Sequence, residues 1–138
     1  MPDNGSSRQS VQRLTDLRNG LLGLHKTLLD SERSRYEHDV ERIHSAGQLL
    51  GLVLHDPWFA WLHELSELVV LIDEAMDAKE PAVTPADADR FLTQARALVV
   101  PAEGGGGEFR RHYLEALQRD PNVVMAHAEA VKLLASMG

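Results

Sequence analysis

The sequence predicts an all-α protein, a helical bundle of about five or six helices, with a long N-terminal helix and a buried central helix near 57–78. Three observations predict it. The apolar set is mainly Leu, Ala and Val with few aromatics, whereas strands draw on β-branched and aromatic residues. Apolar residues recur at spacings of three and four, and no run of period-two alternation competes with them. Asp56-Pro57, Thr84-Pro85 and Asp120-Pro121 each join a capping residue to a proline suited to the first helical position. A chain of 138 residues fits one domain. Residues 1–9 are polar and expected to be a disordered tail; 10–138 are expected to form the single bundle domain.

From Val11 the pattern turns helical. Leu14, Leu17, Leu21, Leu24 and Leu28 define one face, and Leu22, His25, Leu29, Glu32 and Tyr36 a second stripe beside it. A helix with two adjacent stripes meets more than one neighbour. Gly20 and Gly23 each cost up to ~1 kcal/mol relative to Ala, so they mark either close approach of another helix or a break at Asn19-Gly20. Ser45 followed by Gln48 reads as a capping box opening a short helix, about 46–54.

In the segment 57–78, Trp58, Leu62, Leu65, Val69, Ile72 and Met76 make one stripe. Trp61, Leu65, Leu68, Ile72 and Ala75 make another, with Val70 and Leu71 beside them. A helix apolar on nearly every side belongs inside a bundle or in a dimer interface. After a loop at 79–83, Thr84, Pro85 and Asp87 start a helix that runs to about Val99. Residues 101–107 form a second loop, whose four glycines, Gly104 to Gly107, read as a flexible connection. A helix over 108–118 carries Phe109, Tyr113 and Leu117. Asp120-Pro121 launches the last one, with Val124, His127, Val131 and Leu134 on one face.

Charge and composition exclude several functions. The chain has no cysteine, so disulfides, thiolate catalysis and cysteine-ligated metals are ruled out. No apolar run reaches the ~18 residues that span a bilayer, and the N-terminal residues lack a secretory apolar core, so a cytoplasmic location is expected. The net charge of −7 lies in 56–103, where ten acids face only Lys79, Arg90 and Arg96. Such a region repels nucleic acid and anionic membranes, and suits a basic partner or a cation if it is more than a solvated face.

Among candidate sites, His63-Glu64-Leu65-Ser66-Glu67 resembles a zinc-protease helix with Glu67 in place of the second histidine. His63 and Glu67 share a face and are the pair the sequence offers to a divalent metal, with His25, Glu32 or His127 as further ligands. The bland reading is an exposed His–Glu pair four residues apart. Asp73, Glu74, Asp77 and Glu80 oppose the dipole of their helix end, and Arg110-Arg111 is a candidate for compensating them. Glu41-x-x-His44 matches one unit of a di-iron bundle, but two units and two further carboxylates are needed. The glycine run lacks the Lys-Ser/Thr of a phosphate loop and is followed by Glu108. Trp58, Phe59 and Trp61 fall within one turn, and cannot all face the core of an α-helix. Trp58 and Trp61 are expected inside and Phe59 exposed, the three together forming the candidate interface.

The segment His55-Asp56-Pro57-Trp58-Phe59-Ala60-Trp61-Leu62, continuing through Leu65-Ser66 to Ile72-Asp73-Glu74, carries a resemblance. Together with Leu24-His25-Lys26, Leu28-Leu29-Asp30 and Tyr36-Glu37 it resembles a family of small bacterial all-helical proteins, over roughly residues 20–78. The resemblance implies a bacterial helical bundle and, since no function is established for that family, no catalytic residue. The expectation is a non-enzymatic bundle acting through protein contacts, as a homodimer or with a protein partner, and without a cofactor. The alternative is a metal- or small-ligand-binding bundle built around His63 and nearby carboxylates.

Overall fold

The leucine spacing of the first third becomes one unbroken helix. In the computed structural model, which describes residues 4–78, 80–101 and 105–138 with side chains from residue 7, α1 spans Asn4–Asp39. It is followed by α2 (Ala46–His55), a 3-10 helix (Pro57–Leu62), α3 (His63–Asp77), α4 (Pro85–Val99), α5 (Gly107–Arg119) and α6 (Pro121–Ser136). The fold is an all-α bundle, with no strand among the described residues. Helix already runs from Asn4, into the segment expected to be a disordered tail, and Ser10 is buried. Residues 1–3, Lys79 in the first loop and 102–104 in the second lie outside the described residues, Gly104 of the glycine run among them.

The centre of the bundle is α1. It packs on the 3-10 helix, α3, α4, α5 and α6, and Leu14, Leu17, Leu21, Leu24 and Leu28 are all buried along it. Of the two readings of Gly20, close approach is the one realised: a Cβ there would collide with the Leu133 side chain of α6. Nothing crowds Gly23.

The segment expected to be one buried helix near 57–78 is instead a 3-10 helix joined to α3, and only one side of α3 is covered. Leu65, Leu68, Val69 and Ile72 are buried, while Val70 and Leu71 remain exposed. The difference follows from position. Helix α3 lies against α1, α4 and the 3-10 helix, which leaves Val70 and Leu71 exposed.

Caps act largely as the sequence directs. Thr84 and Asp87 exchange both bonds of a capping box, and the Thr84 N–H holds the Asp87 carboxyl below its usual range. Ser45 Oγ accepts from the Gln48 N–H, although Gln48 returns its bond to the N–H of His44. One acid of α3 is answered from α1: Arg18 lies 2.8 Å from Asp73. Arg110 and Arg111, expected to do this, act within their own neighbourhood. Arg111 pairs with Glu108 at 2.7 Å and Arg110 donates to the Gly105 carbonyl. Arg96 donates to Leu134 O at 2.9 Å, satisfying a last-turn carbonyl of α6.

Candidate functional site

The aromatic segment owes its geometry to a change of helix type. Asp56 ends α2 and accepts the Trp58 N–H at 2.8 Å, and Pro57 fixes the first position of the 3-10 helix. With three residues per turn, positions i and i+3 eclipse. Phe59 and Leu62 therefore point together into the core, both 0% exposed, and Trp58 and Trp61 form the neighbouring row. This corrects the expectation that Phe59 is the exposed aromatic. Phe59 packs on Tyr36 (5.6 Å between centroids), and Trp58 meets Tyr36 edge-on with Arg35 4.2 Å over its ring. Trp61 packs on Phe109 and stacks on His112, each at 5.4 Å. All three aromatics thus find partners within the chain.

What remains outside is α2. Leu49, Leu52 and Val53 turn toward the core, but no residue of α2 is buried, and its helix-level neighbour is the 3-10 helix. Leu50 and Leu54, one turn apart, are 58% and 54% exposed. Gly47 and Gly51 continue the same outer face, with no neighbouring atom closer than 4.0 Å to a Cβ built on either. The helix carries no Asp, Glu, Lys or Arg.

His63 anchors this arm. Its Nε2–H donates to the Val53 carbonyl at 2.7 Å, satisfying a last-turn acceptor of α2 from the first residue of α3. His63 and Glu67 do line one groove of about 320 Å³, with Glu64, Glu108 and His112. The further ligands considered for a metal are engaged elsewhere or lack a carboxylate set. Glu32, 1% exposed, is gripped by Arg35 at 3.0 Å and Arg119 at 2.9 Å. The Tyr113 hydroxyl and His127 Nδ1 share a hydrogen bond of 2.6 Å; burial pushes the Tyr113 hydroxyl up and the His127 imidazole down, which favours the neutral form of each. His25 is half-buried with Nε2 unpartnered, and burial, then nearby His63, lowers its pKa. Among the described residues, no three His, Asp or Glu side chains are grouped to hold a metal. Glu41 and His44 are exposed beyond the end of α1, His55 is exposed at the end of α2, and none joins the groove.

Two features were missed by the sequence reading. One is the Arg35–Glu32–Arg119 cluster joining α1 to α5; its signal was a carboxylate within an otherwise apolar and aromatic stripe, since a buried charge requires a partner. The other is a furrow between α3 and α4, lined by Leu68, Leu71, Ala97 and Leu98 and rimmed by Glu64 and Glu67. Periodicity marked Leu68 and Leu71 as apolar without saying that Leu71 stays exposed.

No protein family, curated protein or solved structure matches this chain. The resemblance over residues 20–78 rests on its own residues alone. No described helix is long and apolar enough to cross a membrane.

Proposed function

We propose that this is a non-enzymatic helical bundle that acts through protein–protein contacts, and that it self-associates through the outer face of α2. One observation carries the reading: a charge-free, leucine-rich helix is held on the outside of the bundle with none of its residues buried. Exposed leucines occur singly on most proteins, but here two align on a helix lacking the charged face that would solvate it. A two-fold contact sets each surface against its own copy. The outer face of α2 suits that arrangement, because it brings no like charges together. The cytoplasm is the compartment we assign to this activity.

The expected interface therefore moves from Trp58, Phe59 and Trp61 to Leu50 and Leu54, with the aromatic 3-10 helix as the platform beneath them. Phe59→Asp would test the core rather than the contact. The discriminating variant is Leu50→Glu with Leu54→Glu, which alters exposed positions only. Sedimentation velocity at roughly 100 µM should give a dimer for the wild type and a monomer for the double variant, with unchanged circular dichroism. A wild-type protein that is monomeric under those conditions would overturn self-association. The metal-binding alternative has weaker support, because the Nε2 of His63 is already committed to Val53 O.

A further inference from the structure

A second surface differs from α2 in one decisive respect, its charge. On α3, Glu64, Glu67, Leu68 and Leu71 recur at spacings of three and four, and so share a face. On α4, Gln94, Ala97 and Leu98 do the same, and the two rows enclose a furrow of about 270 Å³. Leu68 forms its floor, and Leu71, 44% exposed, stands open within it. The small Ala97 side chain opposite leaves room for an incoming side chain.

The rim is acidic and uncompensated. Asp73, Asp87, Asp89 and Glu108 each have an arginine partner, but among the described residues no Lys or Arg pairs with Glu64 or Glu67. The same two carboxylates also border the adjoining groove with Glu108, so negative charge runs from one depression into the next. They lie in the part of the chain that holds the entire net charge of −7.

We propose that this furrow docks a basic amphipathic helix of another protein, its apolar side chains entering between Leu68, Leu71 and Leu98 and its Lys or Arg residues meeting Glu64 and Glu67. Charge selects this occupant over a second copy. A two-fold contact across the furrow would drive Glu64 and Glu67 toward their own counterparts, which is repulsive, whereas a basic helix gains attraction at both. The apolar furrow supplies the helix-in-groove part of the recognition, read by residues at i, i+3 or i+4, and i+7.

The inference goes beyond self-association and is tested apart from it. The probe is a fluorescein-labelled helical peptide of about 16 residues, with Leu on one face and Lys on the other, titrated into the full chain and followed by anisotropy. Two controls share its length: a scramble of the same composition, and a version with Glu for Lys. Saturable binding is expected at micromolar concentrations, weakening as salt rises. Glu64→Lys with Glu67→Lys, and separately Leu71→Asp, should each weaken it at least about tenfold, while the Glu peptide does not bind. All three positions are exposed, so the fold is retained, as circular dichroism would verify. Equal binding of the scramble would show that net charge alone attracts the peptide, and would overturn the proposal. So would unchanged affinity in the furrow variants, or a loss of binding in the Leu50→Glu, Leu54→Glu variant, which would place the peptide on α2.

Discussion

Helices α1 and α2 invert the usual link between apolar composition and burial. The 36 residues of α1 include many charged and polar side chains, yet five of its leucines are at most 2% exposed. The ten residues of α2 contain no Asp, Glu, Lys or Arg, yet none of them is buried. Spacing and reach account for the difference. The leucines of α1 keep to the 3.6-residue period for several turns, so one stripe meets α3, α4 and α6. The apolar residues of α2 surround a short helix that rests on the 3-10 helix, and a helix on the rim of a bundle can cover only one side of itself. Hydrophobic content alone predicts neither role. The polar helix organises the bundle, and the apolar one is left to face outward.

That contrast breaks most readily under truncation. Leu24→Ala in α1 is expected to lower stability by ~2–5 kcal/mol, since it leaves a cavity in a packed core. Leu54→Ala in α2 should stay within ~0.5 kcal/mol at dilutions where any dimer has dissociated. Urea denaturation of both variants makes the comparison. A large loss at Leu54 would mean that the face is buried after all.

A somewhat smaller effect is expected at the one carboxylate that α1 buries. Glu32→Ala leaves Arg35 and Arg119 without their shared partner, and a loss of about 3 kcal/mol is expected. The value sits at the low end for a broken buried pair, because both arginine side chains are 29% exposed and can recover water. Glu37, near the end of the same helix, provides the control. It is less buried, and its carboxyl is held below the usual range chiefly by the Ile43 N–H. Comparable losses at Glu32 and Glu37 would show that burial does not set the value of the cluster.

The fold was more legible than its surfaces, for a physical reason. Capping boxes, Asp-Pro starts and leucine spacing are local signals, and the order of helices follows from them. Helix type within 57–62 is not local in the same way. Trp58, Phe59 and Trp61 read as three directions on an α-helix, and the tighter 3-10 turn brings Phe59 directly over Leu62. Whether Leu71 or Leu50 is covered depends on what lies across from it, which no spacing along one helix encodes. His63 and Glu67, expected on one face, both line one groove. The role of His63 in holding Val53 O depends on α2 folding back, and the sequence carries no mark of that.

Glycine substitutions probe the packing of α1 more finely. Gly23→Ala should raise stability by up to ~1 kcal/mol, because it improves helix propensity in open space. Gly20→Ala should show no such gain, and a net loss where Leu133 cannot swing aside. Thermal unfolding of the two variants reads the difference. An equal gain at both positions would refute the close approach of α6 to α1.

The finest distinction is one of pH. Burial depresses the folded-state pKa of His25 and His127 below the ordinary 6.5, so the unfolded chain binds more protons as the solution is acidified through that value. Stability from these groups is complete above pH 6.5 and is lost as pH falls through their folded values. Glu37 and Asp87, with folded pKa values below 4.5 and 3.8, lose theirs only in stronger acid. Urea midpoints at about pH 7.5 and 5.5 therefore isolate the histidines. His25→Gln should reduce the fall between those two values, by removing the imidazole that α1 shelters beside His63. His127→Gln should reduce it separately, since burial disfavours the charged form of that ring. If the double variant keeps the full wild-type slope, neither imidazole is held neutral by the fold, and the sheltered character of α1 at His25 is wrong.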